Sequence, residues 1–253
     1  MNPFLSVIIP AFNEEKRIPT MLSELLKKLK AVDFSYEVII VNDGSTDRTE
    51  NIIKMFESNN PFVALLSYPE NKGKGVAVKT GMLSAKGTWR LFMDADNSTS
   101  FDEFTNKIKP LLSQTPRDIY IGSRYREGSS VVRPQIFYRR ILRRGGNLVF
   151  KILFFGGISD INCGFKCFSK EAAEKIFPKI RTNRWVFDDE VLVLAKSMGL
   201  SVYEIPVTWR DVPHHSTLTF FDYLVALINV IQIKLRSLRE RKPSPLATEH
   251  KKP

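Results

Sequence analysis

The chain has 253 residues and a mass of 29.0 kDa, with 43% hydrophobic content, enough for one large core or two small ones. Thirty-eight Lys and Arg against twenty-seven Asp and Glu leave a net charge of +11, which points to an anionic partner such as a nucleotide, a phospholipid surface or nucleic acid. Two cysteines, Cys163 and Cys167, with no further Cys/His pair nearby, exclude a zinc finger and a disulfide framework and fit a reducing, cytoplasmic setting.

Asn2-Pro3 leads straight into strand-like sequence without the pattern of a signal peptide. Leu5-Ser6-Val7-Ile8-Ile9 reads as a strand ending at Pro10, and Ile18, Met21, Leu22, Leu25, Leu26 and Leu29 then recur at helical spacing. Val38–Val41 is a second buried strand, followed by a helix over Thr46–Phe56. Phe62–Ser67 is a third strand, Lys74–Ala85 a third helix, Trp89–Met93 a fourth strand and Ile119–Ile121 another. Helices are predicted over Ser169–Phe177, Asp188–Met198 and Thr217–Arg239, a strand over Val202–Val207, and a disordered tail over 243–253. The stretch Leu218–Leu235 falls short of the ~18 uninterrupted apolar residues a membrane span needs, because Asp222, Asn229, Gln232 and Lys234 break it. Repeated β-α-β units with near-continuous apolar strands predict an α/β fold, a mostly parallel sheet covered by helices, with ligands bound outside the carboxyl ends of the strands.

The polar residues of interest fall at those ends. Asp94-Ala95-Asp96 follows the fourth strand and sets two hard oxygen ligands at the sheet's mouth, suited to Mg²⁺ or Mn²⁺ with positions left for phosphate oxygens. Glu14, after the first strand, suits ribose hydroxyls or serves as a first-turn helix charge. After the second strand, Gly44 permits a tight turn and Ser45 or Thr46 caps the next helix, which leaves Asp43 pointing into the crevice as an acceptor for a base. Asn71-Lys72-Gly73-Lys74-Gly75 suits an anion through free N–H groups, the helix dipole and the ammonium charge.

Val7-Ile8-Ile9-Pro10-Ala11-Phe12-Asn13-Glu14, Val41-Asn42-Asp43-Gly44-Ser45 and Asp94-Ala95-Asp96 resemble the signature of inverting family-2 glycosyltransferases with the GT-A fold. Gly122-Ser123-Arg124-Tyr125, Asp160–Lys166 and Arg184-Trp185-Val186-Phe187-Asp188 narrow the resemblance to dolichyl-phosphate sugar synthases, above all the β-glucosyltransferases. The resemblance implies a nucleotide-sugar site built from Pro10, Phe12, Glu14, Asp43, Lys74, Asp94, Ala95 and Asp96, with Asp94 and Asp96 as metal ligands. Mannosyl-type members often carry Gln two residues after the second Asp. Here Ser98 stands in that place, which leans toward glucose from UDP-glucose over mannose from GDP-mannose.

From Arg117 to Arg144 there are eight arginines, no lysine and two acids, a composition matched to an anionic head. The resemblance implies that Arg124 and Arg139 hold the phosphate of a polyprenyl or dolichyl phosphate. That acceptor is already ionised, so it needs no strong base. Asp160 and Asp188 are read as catalytic orienters pairing with arginines or sugar hydroxyls, or else as helix caps or surface acids. Trp185 packs under the sugar or into the core. The expected organisation is a catalytic domain over 1–212, with a nucleotide-sugar half to residue 122 and an acceptor half beyond it. An amphipathic helix over 213–242 then lies on an anionic, cytosolic membrane surface or packs back onto the domain. A nucleic-acid binder is the rival that the charge allows, but no helix-turn-helix, zinc-finger or RNP-like motif supports it.

Overall fold

A computed structural model describes residues 2–133, 157–184, 186–210, 228–229, 231–233 and 235–236. Arg139, Trp185, the 243–253 tail and most of the 213–242 helix lie outside the described residues.

A seven-stranded sheet runs in the order β3-β2-β1-β4-β7-β5-β8. Its strands are β1 (Leu5–Ala11), β2 (Tyr36–Asp43), β3 (Val63–Tyr68), β4 (Trp89–Met93), β5 (Ile119–Ser123), β7 (Phe165–Ser169) and β8 (Val202–Pro206). All neighbours pair in parallel except β7, which runs antiparallel between β4 and β5. A parallel pair, β6 (Ser130–Arg133) with β9 (Thr208–Arg210), forms a second small sheet. The main sheet is continuous across residue 122, because β5 and β8 belong to the same ladder as the first four strands.

Alternation along the buried strands feeds two cores. Leu5, Val7 and Ile9 of β1 join Met21, Leu22 and Leu25 of helix α1 (Ile18–Leu29), together with Ile53 of α2 (Thr49–Asn59). Ile8, Ile39 and Val41 face the other way, toward Ala77 and Val78 of α3 (Lys74–Ser84), Ala172 and Ile176 of α5 (Lys170–Ile176), and Val191 of α6 (Phe187–Ser197). A sheet covered on both faces this way is the α/β architecture that the apolar runs predict.

Several local expectations are corrected. Pro10 lies inside β1 rather than ending it; the β1·β4 register has stopped at Ile8↔Phe92, so the ring sits where the strand has one neighbour and its missing N–H is tolerated. The N-cap of α2 is Arg48 rather than Ser45 or Thr46, and just before it the Asp47 carboxylate accepts from the Thr49 N–H at 2.9 Å. Ser45 and Thr46 instead bind Asn13, the Ser45 hydroxyl accepting its N–H at 3.0 Å and the Thr46 N–H donating to its Oδ1 at 2.8 Å. Strand β7, the ribbon β6·β9, and the π-helical turn Phe104–Ile108 leading into α4 (Lys109–Gln114) had no counterpart in the sequence reading.

Candidate active site

Asp94 leaves the carboxyl end of β4 and donates its N–H to the Gly164 carbonyl at 3.0 Å. Its Oδ1 lies 2.6 Å from Lys74 Nζ, at the start of α3. Asp96 Oδ1 accepts the Ser98 N–H at 2.9 Å. Burial first, then the neighbouring Asp94 charge, raise the Asp96 pKa. Glu14 belongs to the same anionic cluster: burial raises its pKa, Arg17 counters this, and Asp96 and Asp94 add to the rise. Arg17 Nε donates to Glu14 Oε2 at 2.5 Å. Half-buried anions crowded at a strand end favour a cation. A monovalent one, the Lys74 ammonium, already sits on Asp94. Two hard carboxylates fit a divalent ion whose other ligands come from phosphate and water, and among the described residues no group of three His, Cys, Asp or Glu side chains offers a closed metal cage.

The remaining donor-side residues divide. Phe12 stands 44% exposed beyond β1, an open aromatic face at the crevice, while Ala95 is buried in the core. Asp43 is 3% exposed and does not present a free acceptor. Its carboxylate accepts the Lys72 N–H at 2.8 Å and the Gly73 N–H at 3.0 Å. The same bonds correct the anion loop, since the Gly75 N–H goes to the Asn183 carbonyl at 2.9 Å and the Val76 N–H to the Gly73 carbonyl at 2.9 Å. The N–H groups expected to be free are largely engaged, and Lys74 supplies the loop's charge. Gly73 sits at φ +99°, a conformation L side chains rarely adopt.

On the acceptor side, Arg124 and Asp160 form a buried fork. Nε and Nη2 reach the two carboxylate oxygens at 2.6 and 2.7 Å, and the Arg124 N–H adds a third bond at 2.9 Å. Burial opposes ionisation of Asp160, but the guanidinium outweighs it and holds the carboxyl below its usual range. Glu204, 7% exposed, accepts the Asp160 N–H at 2.9 Å and the Ser159 N–H at 2.7 Å, fixing the segment that carries Asp160. Trp209 places its ring 5.4 Å from the Arg124 guanidinium and bridges to Thr99 in the loop after Asp96.

Asp188, at the start of α6, is buried against Lys166 Nζ, which also donates to the Cys163 carbonyl at 2.7 Å. Among the described residues Asp188 therefore pairs with neither an arginine nor solvent, but with a fully buried lysine of β7. Sequence reasoning assigned no role to Lys166, Glu204, Arg17 or Gly164. Lys166 alone gave a signal, as an isolated cation inside the apolar run Gly-Phe-Lys-Cys-Phe.

The model of the family described as "Glycosyl transferase family 2" matches residues 6–177, which contain Asp43, Asp94, Asp96, Arg124 and Asp160. The chain belongs to this family. A dolichyl-phosphate β-glucosyltransferase of Dictyostelium discoideum is 36% identical over 248 residues, covering 94% of this chain and 76% of that protein. Its Drosophila melanogaster counterpart is 37% identical over 246 residues, covering 92% and 75%. Among solved structures, glucosyl-3-phosphoglycerate synthase from Mycobacterium tuberculosis in complex with Mn²⁺, UDP and glucosyl-3-phosphoglycerate aligns with a TM-score of 0.67 at 20% identity, covering 93% of this chain and 80% of that one. The fold is the GT-A fold, and as a family-2 member the protein is a glycosyltransferase.

Proposed function

We propose that this family-2 transferase moves glucose from UDP-glucose to dolichyl or another polyprenyl phosphate, with inversion at the anomeric carbon. The observation that carries the reading is the meeting of Asp94, Asp96 and Glu14 at the carboxyl ends of β1 and β4, with the Arg124–Asp160 fork tied to the same place through the 160–166 segment. Relatives named for glucosyl transfer to dolichyl phosphate support the substrates.

In this reading the acceptor phosphate oxygen forms the new bond to C1 while the C1–O bond to the diphosphate breaks, and UDP departs with the electron pair. Asp94 and Asp96 would hold a divalent cation, which when bound would supply charge stabilisation for the leaving diphosphate. Glu14 and Phe12 border the nucleoside, and Asp43 shapes the loop that presents Lys74. Arg124 Nη1, which makes neither bond of the fork, is the proposed donor to the acceptor phosphate, with Arg139 as its companion. No general base is required, so catalysis rests on positioning and charge.

Membrane contact is part of the proposal. Among the described residues no helix is long and apolar enough to cross a membrane. Ile228, Ile231 and Leu235 are nonetheless exposed on the helical stretches of 228–236, which supports peripheral attachment to an anionic cytosolic leaflet.

The test is a donor panel of labelled UDP-glucose and GDP-mannose with dolichyl phosphate, scored for glycolipid. Glucosyl product from UDP-glucose, lost on chelation and in Asp96→Ala, is expected; Arg124→Ala, which also unpairs the buried Asp160, should raise KM for the lipid in its folded fraction. Mannosyl product alone, or glucosyl transfer indifferent to both chelator and Asp96→Ala, overturns the reading.

A further inference from the structure

Four charged side chains alternate in sign from the crevice into the core: Asp94, Lys74, Asp188 and Lys166. Lys74 Nζ lies 2.6 Å from Asp94 Oδ1, and Lys166 Nζ is paired with Asp188 Oδ1. The Phe92 ring of β4 lies beneath both cations, 5.2 Å from Lys74 Nζ and 5.9 Å from Lys166 Nζ. The inner pair is fixed, since Lys166 is 0% and Asp188 5% exposed, and Lys166 is also held by the Cys163 carbonyl. The outer pair is open, with side-chain exposures of 36% for Lys74 and 30% for Asp94. Lys74 is thus a half-exposed cation paired with Asp94 at the crevice and set over the same Phe92 ring as the buried Lys166–Asp188 pair.

The oxygen that Lys74 engages is one the divalent ion needs. Two cations on one carboxylate repel each other with several times the thermal energy in a partly desolvated cleft. We infer that Lys74 competes with the divalent metal for Asp94, and that Asp188, fixed by Lys166, is the alternative partner that keeps the displaced ammonium in the crevice, facing the donor diphosphate. The inference rests on the reading of Asp94 and Asp96 as metal ligands. It gives Lys74 opposite effects on two equilibria, opposing the metal alone and supporting the nucleotide once metal is bound. A purely structural lysine has no such pair of signs.

The test measures Mn²⁺ binding to the full chain by electron paramagnetic resonance of the free ion, without nucleotide, and then UDP binding at saturating Mn²⁺ by calorimetry. K74M is expected to bind Mn²⁺ about tenfold more tightly than the unsubstituted protein and UDP about tenfold more weakly. D188N is expected to weaken Mn²⁺ binding, and that weakening is expected to vanish in K74M/D188N if Asp188 acts through Lys74. Mn²⁺ affinity unchanged or lowered in K74M overturns the competition while leaving the metal reading intact. An Asp188→Asn effect that persists without Lys74 overturns Asp188 as the alternative partner. Absence of Mn²⁺ binding by the unsubstituted protein, or binding insensitive to D96A, overturns the metal reading and the inference together. Because Lys74 is half-exposed, K74M decides the competition whether or not D188N folds.

Discussion

Arg124 and Asp160 meet in a bidentate pair, 2.6 and 2.7 Å long, at a place where their side chains are only 6% and 0% exposed. Removing one member of such a pair leaves the other as an uncompensated buried charge, whereas replacing both by apolar groups removes the desolvation cost with the attraction. Asp160→Ala and Arg124→Ala are therefore each expected to lower unfolding free energy by about 3–5 kcal/mol. R124M/D160L is expected to recover much of that loss in urea titrations and still fail to use the lipid phosphate. A double variant as unstable as the sum of the singles would show that the fork is held by something other than its own charges.

The pair also gives a pH dependence of stability. Asp160 has a folded pKa below its unfolded value, so its contribution is fully present above about pH 4 and is lost as pH falls through the folded value. Asp189 behaves in the opposite sense. Burial first, and then the adjacent Asp188, push its pKa up to about 8. Between about pH 4 and that value the folded state holds a proton the unfolded state has released, so stability falls with rising pH, by up to about 1.4 kcal/mol per unit. Asp189→Asn is expected to flatten this slope, making the variant more stable than the unsubstituted protein at pH 8 and nearly equal to it at pH 4. Parallel stability curves for the two proteins across that window would refute the assignment.

Gly164 explains why β7 matters to the cation site. A methyl group there would lie 1.8 Å from Asp94 Oδ2 and 2.2 Å from its Cγ, so the whole carboxylate must swing away. Gly164→Ala is accordingly expected to cost about 1 kcal/mol or less of stability, because the carboxylate moves rather than the backbone. Turnover should drop by on the order of 100-fold, as a displacement of about 1 Å in a positioning group does. Melting temperature and Mn²⁺-dependent UDP binding, measured side by side, separate the two effects. A variant with full donor binding would mean that Asp94 does not need its present position.

Much of this architecture was legible because it is periodic. The apolar runs at Leu5, Val38, Phe62 and Trp89, with the helical spacing from Ile18 to Leu29 between the first two, gave the sheet's first four strands and put Glu14, Asp43, Asp94 and Asp96 at one edge. Strand β7 escaped because Phe165–Ser169 is short and carries a lysine, whose burial makes sense only once Asp188 of α6 is known to face it. The turn at Phe104 and helix α4 escaped because Pro110 interrupts the helical pattern. Asp43 was placed at the right strand end, but its partners were not legible: Lys72 and Gly73 turn back onto it only after β3 has crossed. Local spacing shows which residues share an edge, while tertiary hydrogen bonds decide which of their atoms remain available.

The 228–236 stretches have two unlike sides. Ile233, 3% exposed, packs with Ile161, Val186, Leu192 and Val193, and Arg236 Nη2 reaches Glu190 Oε1 at 3.0 Å. Ile228, Ile231 and Leu235, three and four residues apart in sequence, are 54%, 44% and 52% exposed. Full burial of an aliphatic side chain of this size is worth about 1.5–3 kcal/mol, so even partial insertion of three contributes a large share of weak membrane binding. I228S/I231S/L235S is expected to reduce flotation with phosphatidylserine-containing vesicles at least tenfold, by this estimate, without changing the melting temperature. Ile233→Ala, which opens a gap under the anchored side, should instead lower the melting temperature and leave flotation of the folded fraction largely intact. Equal flotation of the triple variant and the unsubstituted protein would place membrane contact elsewhere on the chain.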